Sequence, residues 1–322
     1  MENEEFLDLD IDTFNVTYVL EEDDDPNTVQ LTSHIIVGIF TSLGILTSLL
    51  VMSCPLFIRR LRTPFFIVLA SWCLANILYL TFRAIVVFTS RRSWTLGEFW
   101  CHALIYIESA LYFTRPYLLA LAGLMTVLGN RRCQRWTESR QWVRIVAPLL
   151  ASTAVWLMTF LSCIWHWFNA KYVTYFSFGT QQVCYLDSED RLSQALTEFF
   201  LGYTFPSTLI SAVLLTWACL RQRSKMADSI ERIQAILLFI LFHVHMVTQL
   251  LRFATPFVDT IGDSASFHLL AWHISLSDFA ISPTLCLIVI FLCRRSLRQA
   301  EATRRNDGSE ERDGDTKMEL VQ

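Results

Sequence analysis

Apolar runs long enough to cross a bilayer recur seven times in this chain, and nothing else in it constrains the fold as strongly. They fall at about 33–58, 64–89, 98–130, 142–165, 194–220, 228–254 and 265–293. A helix needs about 20 apolar residues to span the hydrocarbon layer. The runs occupy most of the 322 residues, which are 53% hydrophobic and only 17% charged, so no large soluble domain fits beside them. Helices are the spanning form, because backbone in lipid has only itself to hydrogen-bond. The runs are too long and too evenly apolar for barrel strands. The sequence predicts an all-α membrane protein, a seven-transmembrane helix bundle over 33–293, with tails at 1–32 and 294–322.

Lys and Arg set the expected orientation. The connections after spans 1, 3, 5 and 7 are basic: Arg59, Arg60 and Arg62; Arg131, Arg132, Arg135, Arg140 and Arg144; Arg221, Arg223, Lys225 and Arg232; then Arg294 onward. Nineteen of the 26 Lys and Arg fall on that side and four on the other. Residues 1–32 hold eleven acidic residues and neither Lys nor Arg. The amino terminus is therefore expected outside and the carboxyl terminus in the cytosol. The first thirty residues lack an apolar core, so no cleavable signal peptide is expected and span 1 serves as its own insertion signal.

The nine cysteines form no metal or framework pattern. Seven lie in spans or at inner edges, where a cysteine serves as a small apolar side chain. Cys101 and Cys184 alone fall on the outer side, at the start of span 3 and in the longest outer connection. An oxidising exterior favours a bridge between them.

The tail at 1–32 reads as solvated and disordered. An acidic arm of this kind also attracts basic partners over distance. Tyr18 precedes Glu21, Glu22, Asp23, Asp24 and Asp25, a setting suited to tyrosine sulfation, and Asn15-Val16-Thr17 is a glycosylation sequon. The carboxyl-terminal tail opens with the basic amphipathic Arg294-Arg295-Ser296-Leu297-Arg298, which is suited to a membrane surface.

Seven spans, an outside amino terminus and a span 3 to second-outer-loop bridge resemble a G-protein-coupled receptor. The stretch "WTLGEFWC", residues 94–101, is similar to the Trp-x-Phe-Gly-x-x-x-Cys signature of chemokine and other peptide receptors: Trp94, Gly97 and Cys101 match, and Leu96 replaces Phe. Trp156, Pro206 and Pro283 stand where that family carries its span 4 tryptophan and its span 5 and span 7 prolines. The acidic start "MENEEFLDLD", the Cys73-Leu74 pair, "RRCQRW" after span 3 and "RRSLRQ" after span 7 resemble the chemokine-receptor-like receptors of gammaherpesviruses.

The family's inner motifs are mostly missing. Met125-Thr126-Val127 stands where the family has Asp-Arg-Tyr, with Thr126 at the arginine position. Cys-Trp-x-Pro reads Phe242-His243-Val244-His245, and Asn-Pro-x-x-Tyr runs from Ser282-Pro283 through Cys286. Span 2 has no aspartate. The resemblance makes Met125, Thr126, Val127, Arg131, Arg132, Arg221, Cys286 and Arg294 the expected G-protein-facing residues.

Glu108, Tyr112 and Arg115 share one face of span 3 at helical spacing. Ionisable residues inside a span are costly and are default functional candidates. Glu108 lies about 10 Å along the helix from Cys101 at 1.5 Å per residue, the depth of the family's ligand pocket; the plainer reading is a polar contact with a neighbouring helix. At Arg115 the family places a small hydroxyl residue of its sodium site, facing a span 2 aspartate. Here the arginine acts as a built-in cation with Asp278 as its expected partner, chiefly a structural role, with bias of an active–inactive equilibrium as the sharper hypothesis. Arg83, Gln249, Arg252, His268 and Trp272 mark an outer opening for a peptide, or else snorkelling arginines and an aromatic belt. With Trp94, Tyr18 and the acidic run 21–25 they complete the expected ligand-binding set.

His243 and His245 are two apart on a helix and face different ways, so with His273 they read as ordinary polar residues rather than a metal site. No catalytic arrangement is apparent. The lysines, Lys171, Lys225 and Lys317, all lie outside the spans, which excludes a retinal Schiff base. No cofactor and no nucleic acid is expected. The resemblance implies a receptor in the plasma membrane (a host cell membrane for a viral protein) with a chemokine of CXC type, a heterotrimeric G protein and membrane lipid as partners, and it is compatible with a dimer. The rival reading is a non-signalling scavenger or a partner of another membrane protein, favoured by the loss of the inner motifs. Separately, residues 1–32 and 255–266 contain no cysteine for the family's second disulfide, a departure that counts against the chemokine and leaves the tail freer.

Overall fold

The computed structural model describes residues 26–58, 61–89, 94–128, 143–175, 181–186, 196–222, 229–258 and 270–292. Among them seven helices are long and apolar enough to cross a membrane: His34–Phe57, Pro64–Thr89, Glu98–Leu128, Ile145–Asn169, Leu196–Cys219, Arg232–Leu250 and Leu270–Leu292. These are spans 1 to 7 of a seven-helix bundle, the architecture of a multi-pass membrane protein. Helix 1 begins at Pro26, earlier than the apolar run; a proline in the first turn needs no backbone donor. Span 4 is two helices, Val143–Ser162 and Ile164–Asn169, separated by a turn at Cys163.

Span 3 is the most enclosed of the seven, while spans 4 and 5 leave most of their residues on the outside of the bundle. A helix apolar on every face needs no polar stripe when lipid is its solvent. Span 1 approaches spans 2 and 7 closely at Gly44, where an added Cβ would lie 2.5 Å from Leu80 Cδ1 and 2.7 Å from the Phe279 carbonyl oxygen.

Several prolines lie inside the helices, and at two others, Pro206 and Pro283, a neighbouring span supplies a donor to the carbonyl left without one. In an α-helix the Phe279 carbonyl would bond the N–H of residue 283, which is Pro283. Asn76 of span 2 donates its Nδ2 to that carbonyl at 2.8 Å and to Ser48 Oγ of span 1 at 2.8 Å. Span 5 makes a π-turn at Phe200–Thr204, in which the Phe205 N–H bonds the Phe200 carbonyl. The next bond in that register would come from Pro206, which has no N–H. Tyr117 of span 3 instead donates to the Leu201 carbonyl at 2.8 Å.

An antiparallel hairpin, β1 (Ala170–Tyr175) and β2 (Gln181–Leu186), follows span 4, with Tyr172 opposite Cys184. Cys184 is disulfide-bonded to Cys101 at the start of span 3. Gly97 takes a left-handed φ of 84°, which residues with a Cβ rarely adopt. Its carbonyl accepts from the Trp94 indole at 2.8 Å and from the Cys101 N–H at 3.2 Å. Trp94 is buried with Cys101, Leu104 and Cys184, so "WTLGEFWC" forms a turn that seats the disulfide, with the tryptophan packed against it.

Candidate functional site

Two tiers of polar side chains lie inside the bundle, and both start from the face of span 3 that carries Glu108, Tyr112 and Arg115. The upper tier is nearer the hairpin. There Arg83 Nη1 of span 2 donates to both carboxylate oxygens of Glu108, at 2.9 and 3.2 Å. The Arg83 guanidinium carbon lies 4.9 Å from the Trp272 ring centroid of span 7, within cation–π range. Arg83 is buried, and its Nε has no hydrogen-bond partner. The three upper-tier residues thus form one unit: a carboxylate, a guanidinium and an indole from three different spans.

The lower tier centres on Asp278, which is 0% exposed, and Arg115, which is 1% exposed. Arg115 Nη1 lies 3.2 Å from Asp278 Oδ2. His245 Nδ1 of span 6 is 3.1 Å from the same oxygen, and Ser282, one helical turn on, donates to Oδ1. The Arg115 guanidinium lies 3.6 Å from the Phe279 ring centroid and 5.3 Å from that of Trp72. Burying a cation this far from water is costly; one carboxylate and two aromatic faces offset it here. Tyr79 stacks on the other partner of this arrangement, Phe279, at 4.1 Å.

Gln249 extends the lower tier. Its Oε1 accepts from Tyr112 Oη at 2.7 Å and from Ser275 Oγ at 2.8 Å, and its Nε2 donates to Asp278 Oδ2 at 3.5 Å. Spans 3, 6 and 7 are thereby joined through one amide and one carboxylate. The sequence grouping places Gln249 at an outer opening; in the structure it is wholly buried in this network. His245, an ordinary polar residue by its sequence spacing, is an Asp278 partner in the structure. The signal was its i, i+4 spacing to Gln249, which puts both on one helix face. His243 points elsewhere: it is exposed and bonds the Phe239 carbonyl of its own helix. Asn76 carried no signal beyond being a buried amide.

At the end of the bundle away from the hairpin, Thr126 is buried and donates to the Ala122 carbonyl of its own helix at 3.2 Å. Cys286 is wholly buried in the core, and Met125 packs against the same cluster. Val127 is half-buried. In this conformation Thr126 and Cys286 are part of the interior rather than of a surface open to a partner. Asn15, Tyr18, Glu21, Glu22, Asp23, Asp24, Asp25, Arg131, Arg132, His268 and Arg294 lie outside the described residues, and Arg221 and Arg252 are described by backbone alone. No group of three or more metal-ligating side chains is present among the described residues.

No known protein family or curated protein matches this chain. The geometry is that of a bundle with a disulfide-anchored hairpin at one end, a charged and aromatic cluster below it, and a buried ionic brace at mid-depth.

Proposed function

We propose that this protein is a virus-type, chemokine-receptor-like G-protein-coupled receptor, standing in the plasma membrane with its amino terminus outside. The acidic tail captures a basic chemokine of CXC type, the ligand's leading segment enters the bundle at the hairpin end, and the helices rearrange to engage a heterotrimeric G protein. The observation that carries the reading is the Cys101–Cys184 bridge in a seven-helix bundle. It fixes a hairpin over the end of span 3 above the Arg83–Glu108–Trp272 unit, and so frames a mouth with charged and aromatic groups beneath it. The excess of Lys and Arg on the opposite connections supports the orientation.

Signalling in this reading proceeds without the Asp-Arg-Tyr arginine. In that family the acid–arginine pair also restrains the inactive state, so its replacement by Met125-Thr126-Val127 favours activity without ligand. Spans 3, 6 and 7 are held instead through Asp278 and Gln249, and activation must reorganise that brace. The test is expression of the full chain without ligand, measurement of G-protein activation, and then addition of a chemokine panel. Basal or chemokine-driven activation supports the reading.

A second reading, a non-signalling scavenger or membrane-partner protein, is favoured by the burial of Thr126 and Cys286. Chemokine uptake with no G-protein activation in that experiment selects it.

A further inference from the structure

A ligand that reaches the upper tier meets two charges that already neutralise each other. Glu108 offers a carboxylate, and both of its oxygens are engaged by Arg83 Nη1 at 2.9 and 3.2 Å. Their side chains are only 15% and 10% exposed. A purely cationic ligand that took Glu108 would leave Arg83 buried and unpaired, and a purely anionic one that took Arg83 would strand Glu108. Removing one partner of a buried pair is strongly unfavourable, because the other charge stays behind without water or counter-charge. Entry is favourable only if both charges are replaced together.

We infer that the Arg83–Glu108 pair is a subsite for a dipolar group, one carrying an ammonium and a carboxylate close together. This inference rests on the reading of the hairpin end as a ligand mouth. The ammonium takes over Glu108 and the carboxylate takes over Arg83. Arg83 retains a buried donor for the incoming carboxylate in Nε, which makes no hydrogen bond in the closed pair. Planar donors in a fixed fork suit a carboxylate. Trp272, whose ring centroid is 4.9 Å from the guanidinium, walls the site with an aromatic face, against which either the retained guanidinium or the incoming ammonium is stabilised. The occupant expected is the free amino terminus of a peptide with an acidic side chain one or two residues in, rather than a basic tail alone.

The experiment uses the full chain in lipid nanodiscs and four dye-labelled pentapeptide amides of one backbone. The first has a free ammonium and a glutamate at its second position. The others are its acetylated form, its glutamine form, and the acetylated glutamine form. In the wild type the dipolar peptide should bind at least tenfold tighter than either singly charged one. In Glu108→Gln the acetylated, anionic peptide should become the preferred probe, and in Arg83→Gln the cationic glutamine peptide should. In the double variant the four should converge. Because each single variant is expected to gain a probe, a reversed preference also reports that it has folded. An unchanged rank order across the variants, or no binding of any peptide, overturns the inference and leaves the pair as a brace between spans 2 and 3. G-protein activation or chemokine capture with an unchanged rank order sinks only the subsite. A reversed rank order without activation or capture keeps the subsite and sinks the receptor reading.

Discussion

Arg115 and Asp278 meet 3.2 Å apart with almost none of either side chain exposed, and His245, Gln249 and Ser282 all bond the same carboxylate. The pair joins spans 3 and 7 where water does not reach. Its stability is therefore a matter of compensation rather than of attraction alone. Replacing Asp278 with Asn should cost on the order of 3–5 kcal/mol, because it strands the arginine. Adding Arg115→Met should recover much of that loss. Thermal unfolding of purified protein in nanodiscs checks both, and a double variant no more stable than Asp278→Asn would mean that the pair is not the centre of the brace.

The hairpin depends on a single covalent anchor, Cys101–Cys184. Cys184→Ser should lower stability by about 2–5 kcal/mol, as loss of a native bridge does in small secreted domains, and should abolish ligand capture at the cell surface. Retained capture in a Cys184→Ser chain that reaches the surface would remove the hairpin from the proposed mouth.

At Gly44 an added methyl meets backbone as well as side chain, 2.7 Å from the Phe279 carbonyl oxygen. Gly44→Ala should destabilise by about 1–3 kcal/mol through overpacking. Gly38, on the same helix, has nothing within 4 Å of an added Cβ, so Gly38→Ala should be neutral or slightly stabilising. A melting-temperature comparison of the two variants decides whether span 1 is held as closely as described.

Asn76→Leu should cost about 1–3 kcal/mol, since the Phe279 carbonyl then loses the donor that stands in for Pro283. In a Pro283→Ala background the helix can make its own bond at that carbonyl, so the same substitution should cost less. Equal costs in the two backgrounds, measured by denaturation of all four proteins, would mean that Asn76 acts through Ser48 alone.

Reversing the charges of Glu21, Glu22, Asp23, Asp24 and Asp25 should slow chemokine capture by the full chain, and more so at low ionic strength, where screening is weak. Association rates measured at two salt concentrations check this; equal rates for wild type and variant at both would remove the acidic arm from the mechanism.

The seven spans were legible because apolar length is a one-dimensional property that bilayer thickness converts directly into helices. The Cys101–Cys184 bridge was legible because topology leaves those two cysteines together. Arg115 and Asp278 could be matched because charges inside a membrane require partners. The pairing of Arg83 with Glu108 was not legible: it depends on how spans 2 and 3 are rotated about their axes, which side-chain packing sets and periodicity in evenly apolar helices does not reveal. For the same reason the sequence points Gln249 to the outer end of span 6, whereas it lies in the brace, and gives His245 no assigned partner, whereas it bonds Asp278. The hairpin was hidden in a connection read only for its cysteine, although the β-branched and aromatic residues of "AKYVTY" were a strand signal.

Asn76 and Tyr117 do more than tidy two proline breaks. Each break is a point where a helix lacks the means to hold its own shape, and the missing part is kept on a different helix. Sliding span 7 past span 2, or span 5 past span 3, therefore withdraws the support of the very joint about which the moving helix would bend. Displacement and bending of these two helices are thereby tied to the same two hydrogen bonds.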